Sequence, residues 1–164
     1  MTPRGAGLWT AAAAFALDQG SKLWLLHVFG IGERQLPIPL APFLDLTMAW
    51  NKGVSYSWFT ADSRAGWLAL IAVTLAATIF LAVWMWRAPT ALTALSLGLI
   101  VGGALGNLFD RIAYGAVADF FHFHVGQFSW YVFNIADMAI VAGVAGLLYE
   151  SFFRRDAPGA ENSP

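Results

Sequence analysis

Two aspartates flank the start of the last long apolar run of this chain: Asp119, in VADF, and Asp137, in FNIAD. A carboxylate inside a membrane span costs roughly 2.5–3.5 kcal/mol on insertion scales, so it implies a function and a partner. Two carboxylates brought together in a poorly hydrated site split their titrations, one ionised and the other keeping its proton near neutral pH. The charged member can then activate water while the protonated member polarises a carbonyl, the division of labour of an aspartic dyad. The spacing puts Asp119 in a loop from which it needs only modest reach to approach Asp137.

Other polar side chains recur around this pair. Gly103, Asn107 and Arg111 follow one another at i, i+4 spacing on one helical face, with Asp110 beside them. An amide, a carboxylate and a guanidinium at one helix end must satisfy one another or stay wet. Asn134 and Asp137, at i and i+3, share a face of the next helix. Gly98, Gly102 and Gly106 give two successive small-xxx-small steps, which let a neighbouring helix approach closely.

Three further groups have alternative uses. Asp18 and Lys22, at i and i+4 with the acid first, form a favourable helical ion pair, and a structural polar pair is expected there. A Ser21/Lys22 nucleophile–base pair is disfavoured because adjacent helical residues project about 100° apart. His122 and His124 would face one way on a strand and could ligate a metal together with Asp119, yet no HExxH or third fixed ligand accompanies them, so no metal and no cofactor is expected.

The elements that must position these residues are apolar. Of 164 residues, 59% are hydrophobic and 12% charged, against about 45–50% and about 25% in soluble domains, so the chain belongs in a membrane. A mean hydropathy of +0.62 agrees. The net charge of −1 and the scattered basic residues offer no footprint for nucleic acid. The absence of cysteine excludes a thiol nucleophile, a thiolate metal site and a disulfide framework.

Four runs are long enough to span: residues 8–28, 65–86, 91–109 and 132–153. The N-terminal run has the look of a signal peptide, with Arg4, an apolar stretch and Ala14-Phe15-Ala16, but hydrophobicity resumes at Leu23, so a retained first helix is expected. Alternation in FLDLTMAWN and FHFHV predicts short strands in the two segments between spans. The expected fold is therefore an all-α membrane protein, a four-transmembrane-helix bundle with a small extracytoplasmic β-rich cradle. Residues 1–155 form one domain and 156–164 a disordered tail. Arg4, Arg87, Arg154 and Arg155 flank the spans on one side, which places both termini in the cytoplasm. Most tryptophans fall near span ends, as an interfacial aromatic belt requires.

DQGSK (18–22), NKGVSYSWF (51–59), GGALGNLFDR (102–111), GAVADF (115–120) and FNIAD ending at Asp137 occur in that order. With these motifs the chain resembles the prolipoprotein signal peptidases, the signal peptidase II family, across nearly its whole length. Ser55 and Tyr56 depart from the family's usual N-x-G-x-A-F. The resemblance implies an aspartic endopeptidase that removes the signal peptide from diacylglyceryl-modified prolipoproteins, cutting before the lipid-bearing cysteine. It implies Asp119 and Asp137 as the catalytic pair. Asn107, Asp110, Arg111 and Asn134 match residues that support the pair or contact substrate, and Asn51 and Gly53 match the extracytoplasmic cradle. It further implies a multi-pass protein of the bacterial inner membrane, with its site near the outer face, surrounded by membrane lipid and bound by globomycin-type inhibitors. The rival expectation is a small proton-coupled transporter, since intramembrane carboxylates also relay protons.

Overall fold

The structure is a computed structural model describing residues 1–53 and 63–153. Ser55, Tyr56, Arg154, Arg155 and the expected tail at 156–164 lie outside the described residues. Helix α1 (Pro3–Leu23) starts on Thr2, whose hydroxyl accepts the Gly5 N–H, with proline in the first turn where no N–H is needed. It widens into a π-helical turn over Trp24–Val28, and Gly30, at φ +64°, ends the run in the left-handed region. Helices α2 (Arg64–Trp86) and α3 (Ala91–Tyr114) are capped by Ser63 and Thr90. Helix α4 covers Ile135–Phe153. Strands β1 (Ile38–Ala41), β2 (Leu44–Asn51), β3 (Val117–Val125) and β4 (Phe128–Phe133) form one antiparallel sheet in sequence order.

The molecule is thus mostly helical with a small sheet. Three helices, α2, α3 and α4, are long and apolar enough to cross a membrane. Helix α1 is diluted by its polar end, but runs beside α3 for its whole length. Gly7 lies against Ala94 and Gly98 near one end, and Lys22 against Asp110 at the other. Helix α3 is the hub. It packs on α1, α2 and α4, and most of it is buried, whereas α2 and α4 are largely bare.

Small residues set these distances. A Cβ on Gly98 would fall 2.5 Å from the Gly7 carbonyl oxygen, and one on Gly103 would fall 2.5 Å from that of Ala136. The Gly98–Gly102–Gly106 stripe therefore seats α1, while Gly103, one position round, seats α4.

Four boundaries differ from expectation. The run at 132–153 begins as strand: β4 continues to Phe133, and the helix starts only after Asn134. The run at 91–109 continues as helix to Tyr114, so Asp110 and Arg111 lie within α3. Asp119 is on β3, not in a loop. The first helix begins at Pro3, five residues before the apolar run. The helix ends differ because membrane hydropathy marks where lipid begins, whereas helices end where their caps are; Asp119 differs because β3 pairs with β2. Helix α3 ends at Gly115, whose φ of +76° reverses the chain into β3.

The sheet is anchored to the far end of α1 by a small core of Leu25, Ile31, Leu46, Ala118 and Phe120. Phe120 and Ala118 flank Asp119 and are fully buried, so strand alternation points Asp119 to the opposite face, over the helix ends. Burying a phenylalanine side chain is worth roughly 1.5–3 kcal/mol, which fixes the strand beside the carboxylate.

Candidate active site

Asp137 is built into the start of α4. The Asn134 Oδ1 accepts the Asp137 N–H at 3.0 Å, and Asp137 Oδ2 accepts the Asn134 N–H at 3.2 Å, a reciprocal capping box. Its other oxygen, Oδ1, accepts from Asn107 Nδ2 at 2.8 Å. Both carboxylate oxygens are thereby placed by hydrogen bonds, yet the residue is only half-buried. It opens to a cleft of about 180 Å³ lined by Asn51, Tyr131, Val132, Asp137, Ile140 and Val141.

Asp119 is held from β3. Asn134 Nδ2 donates to its Oδ1 at 2.7 Å and Asn51 Nδ2 to its Oδ2 at 3.2 Å. It is 2% exposed. Burial, and then the neighbouring Asp137 charge, push its carboxyl up to about 7, against the opposing pull of the Asn51 and Asn134 hydrogen bonds and the Lys22 charge. A carboxyl raised to about 7 and a half-exposed one therefore share a single hydrogen-bonded cluster.

Asn107 and Asn134 are the couplers. Asn134 Nδ2 also lies 3.1 Å from Asn107 Oδ1, so the two amides bridge the two aspartates. Asn51 turns its own oxygen to the Gly53 N–H at 3.1 Å, which orients its amide nitrogen toward Asp119. Arg111 donates from Nη1 to the Asn107 carbonyl at 3.1 Å, and its charge acts on Asp137, Asp119 and Asp110. The expected cluster of Asn107, Arg111, Asn134, Asn51 and Gly53 is therefore assembled around the pair.

Asp110 stands one layer deeper. It is fully buried, forms an ion pair with Lys22 at 2.7 Å, and accepts from Gln19 at 2.9 Å and from the Ala118 N–H at 3.2 Å. It is not among the residues that line the cleft at Asp137. Asp18 and Lys22 do pair, at 2.8 Å. Breaking such a buried pair on one side typically costs about 3–5 kcal/mol. Ser21 donates instead to the Asp18 carbonyl at 2.7 Å, which disposes of the Ser21/Lys22 couple.

The histidines are elsewhere. His124 Nε2 lies 3.0 Å from Asp45 Oδ2, misaligned for a hydrogen bond, and His122 Nε2 lies 2.7 Å from Ser129 Oγ. Their carboxylate neighbour is Asp45, across from His122 in the sheet register, and not Asp119. Among the described residues no three histidine or carboxylate side chains converge as a metal site. Two supporting residues escape a reading of spacing. Gln19 bridges Asp18 and Asp110, and its only signal is an amide beside a buried-looking charge pair. Trp67 donates from Nε1 to the Arg111 carbonyl at 3.1 Å, tying α2 to the end of α3. Its position at a span end suits an interfacial tryptophan equally well.

A larger apolar groove of about 860 Å³ runs between α1 and α4 under the sheet, touching Trp9, Leu17, Phe133 and Met138. Neither aspartate lines it, whereas Asp137 lines the small cleft.

Fold and site together define a membrane helical bundle that holds a carboxylate pair at one end of its helices, under a surface sheet. The model of the signal peptidase (SPase) II family matches residues 10–153, and the chain belongs to that family. A lipoprotein signal peptidase of Methylocella silvestris is 58% identical over 159 residues, covering 97% of this chain and 92% of the relative. One of Nitrobacter hamburgensis is 54% identical over 164 residues, covering 98% and 99%. Two solved chains, each described as a bacterial membrane enzyme structure obtained by the in meso method, share the fold. Their TM-scores are 0.78 and 0.74 at 22% and 24% identity, covering 98% and 91% of this chain and 95% and 94% of theirs.

Proposed function

We propose that this protein cleaves the signal peptide from diacylglyceryl-modified prolipoproteins, immediately before the lipid-bearing cysteine, with Asp119 and Asp137 as its catalytic dyad. The observation that carries the proposal is the asymmetry of the pair: a buried Asp119 whose carboxyl is raised to about 7, beside a half-exposed Asp137 facing a cleft. Asp137 takes a proton from water as the hydroxyl adds to the scissile carbonyl carbon. Asp119 gives its proton to the carbonyl oxygen. The proton held by Asp137 then passes to the leaving nitrogen as the C–N bond breaks, and Asp119 recovers its own from the hydroxyl.

The site's depth suits this substrate. Helices α1 and α3 run in parallel and bring Lys22, Asp110, Asn107 and Asp137 to one level beneath the sheet. A scissile bond presented at that level meets water on one side and lipid on the other. The parallel course of α1 beside a helix that qualifies as a span supports four spans in a single domain over residues 1–155. With the family, it supports a bacterial inner-membrane location, both termini cytoplasmic and the site near the outer face. Asn51 and Gly53 would then meet substrate from the cradle, and the lipid chains and globomycin-type inhibitors would lie among the helices.

The test is turnover of a diacylglyceryl-peptide by the purified protein. Asp119→Asn and Asp137→Asn should each lower kcat by about 10²–10⁴-fold or more while the protein remains folded. Wild-type turnover by either variant would overturn the dyad.

A further inference from the structure

The residue before each candidate catalytic aspartate is gripped by one end of the same buried ion triad. Asp110 Oδ2 accepts the N–H of Ala118, one position before Asp119, at 3.2 Å. Asp18 Oδ1 accepts the N–H of Ala136, one position before Asp137, at 3.0 Å. Lys22 Nζ joins the two acids at 2.8 and 2.7 Å, and Gln19 Nε2 spans them again at 3.0 and 2.9 Å. The third Lys22 contact is Asn107 Oδ1 at 3.3 Å, which turns the Asn107 amide nitrogen toward Asp137.

We infer that the Asp18–Lys22–Asp110 triad is a positioning device that sets the separation of Asp119 and Asp137 by clamping the peptide immediately before each. The inference rests on the dyad proposed above. Consecutive Cα atoms are fixed about 3.8 Å apart, so a shift of the Ala118 or Ala136 peptide moves its aspartate almost equally. Beyond the β3–β4 ladder, Asn134 links the start of α4 to β3 through its side-chain amide, a softer link. Stability alone does not demand the charges, because a buried ion triad replaced by uncharged groups of similar volume often leaves a protein as stable or more so.

The test uses the full-length purified protein and a diacylglyceryl-peptide, with Lys22→Met and the triple variant Asp18→Asn/Lys22→Met/Asp110→Asn. The triple variant should melt no lower than the parent, while its kcat falls by about 10²-fold, the cost of roughly 1 Å of misplacement, with KM little changed. In Lys22→Met the alkaline limb of kcat should move to higher pH. The charges that act on Asp119 are Asp137 from α4, Arg111 from α3 and Lys22 from α1, and loss of the last removes a pull toward ionisation. A folded triple variant with the parent's kcat would overturn the clamp. So would losses that merely track the folded fraction while the pH profile stays put. Asp119→Asn run alongside separates the two proposals: turnover surviving there condemns the dyad, whatever the triad variants do.

Discussion

Asn134 touches Asp119 at 2.7 Å through its amide nitrogen while its amide oxygen caps the helix whose first turn holds Asp137. One side chain thus sets both the position of one carboxylate and the helix start of the other.

Asn134→Ala should therefore cost both stability and rate. Loss of an N-cap is worth about 0.5–2 kcal/mol, visible as a lower melting temperature in detergent. The kcat for a diacylglyceryl-peptide should fall about 10²-fold as Asp119 loses its anchor. Asn134→Asp would keep the cap and still fail, because it places a third carboxylate against the pair.

The pH dependence follows from Asp119. Its folded carboxyl titrates at about 7 against 3.8 for a free aspartate, so between those values the folded chain holds a proton that the unfolded chain has released. Stability should fall as pH rises from about 4 to about 7 and then level off. Asp119→Asn should flatten that slope. Activity should decline above about 7, where both carboxylates are charged. Because the Asn51 hydrogen bond favours the ionised form, Asn51→Ala should shift the alkaline limb upward.

Gly106 has no room for a methyl group, since a Cβ there would overlap the Asp18 carboxylate. Gly106→Ala should destabilise the protein by about 1–3 kcal/mol, as overpacked cores do, and lower turnover by pushing α1 away from α3. Gly20, with nothing near its missing Cβ, is the control: Gly20→Ala should melt at or above the parent temperature.

His122→Ala and His124→Ala, singly or together, should leave turnover within a few-fold of the parent. Both rings serve Asp45 and Ser129 on the sheet, away from the dyad. Chelation should likewise leave the rate unchanged, and a zinc-restored loss would return the histidines to the chemistry.

Spacing alone went a long way toward the site because helical periodicity is rigid. The i, i+4 and i, i+3 relations among Asn107, Arg111, Asn134 and Asp137 are local, and local geometry survives folding. Two things were hidden. The extension of the expected FHFHV strand back to Val117, which takes in Asp119, comes from pairing with β2, whose partner residues lie some seventy positions earlier. The depth of Asp110 depends on which way α3 rotates, and Gly106 against Asp18 decides that, a contact across 88 positions. The same long-range packing promoted Gln19 from filler to a bridge. Hydropathy also misplaced the start of α4, because Phe128–Phe133 is as apolar as a span yet pairs as a strand.

The ion pair Asp18–Lys22 also bears on how the chain is made. Helix α1 is synthesised before α3, so its polar end must wait for Asp110, Asn107 and Gly106 to arrive. An acid and a base one turn apart on the same helix neutralise each other during that wait, and the segment carries its own counter-ion into the bilayer. A chain with Asp110 in place but Asp18 removed would leave Lys22 unescorted until α3 is inserted. Variants that lose Asp18 but keep Lys22 should accordingly be lost to quality control during biogenesis, at a stage when the site does not yet exist.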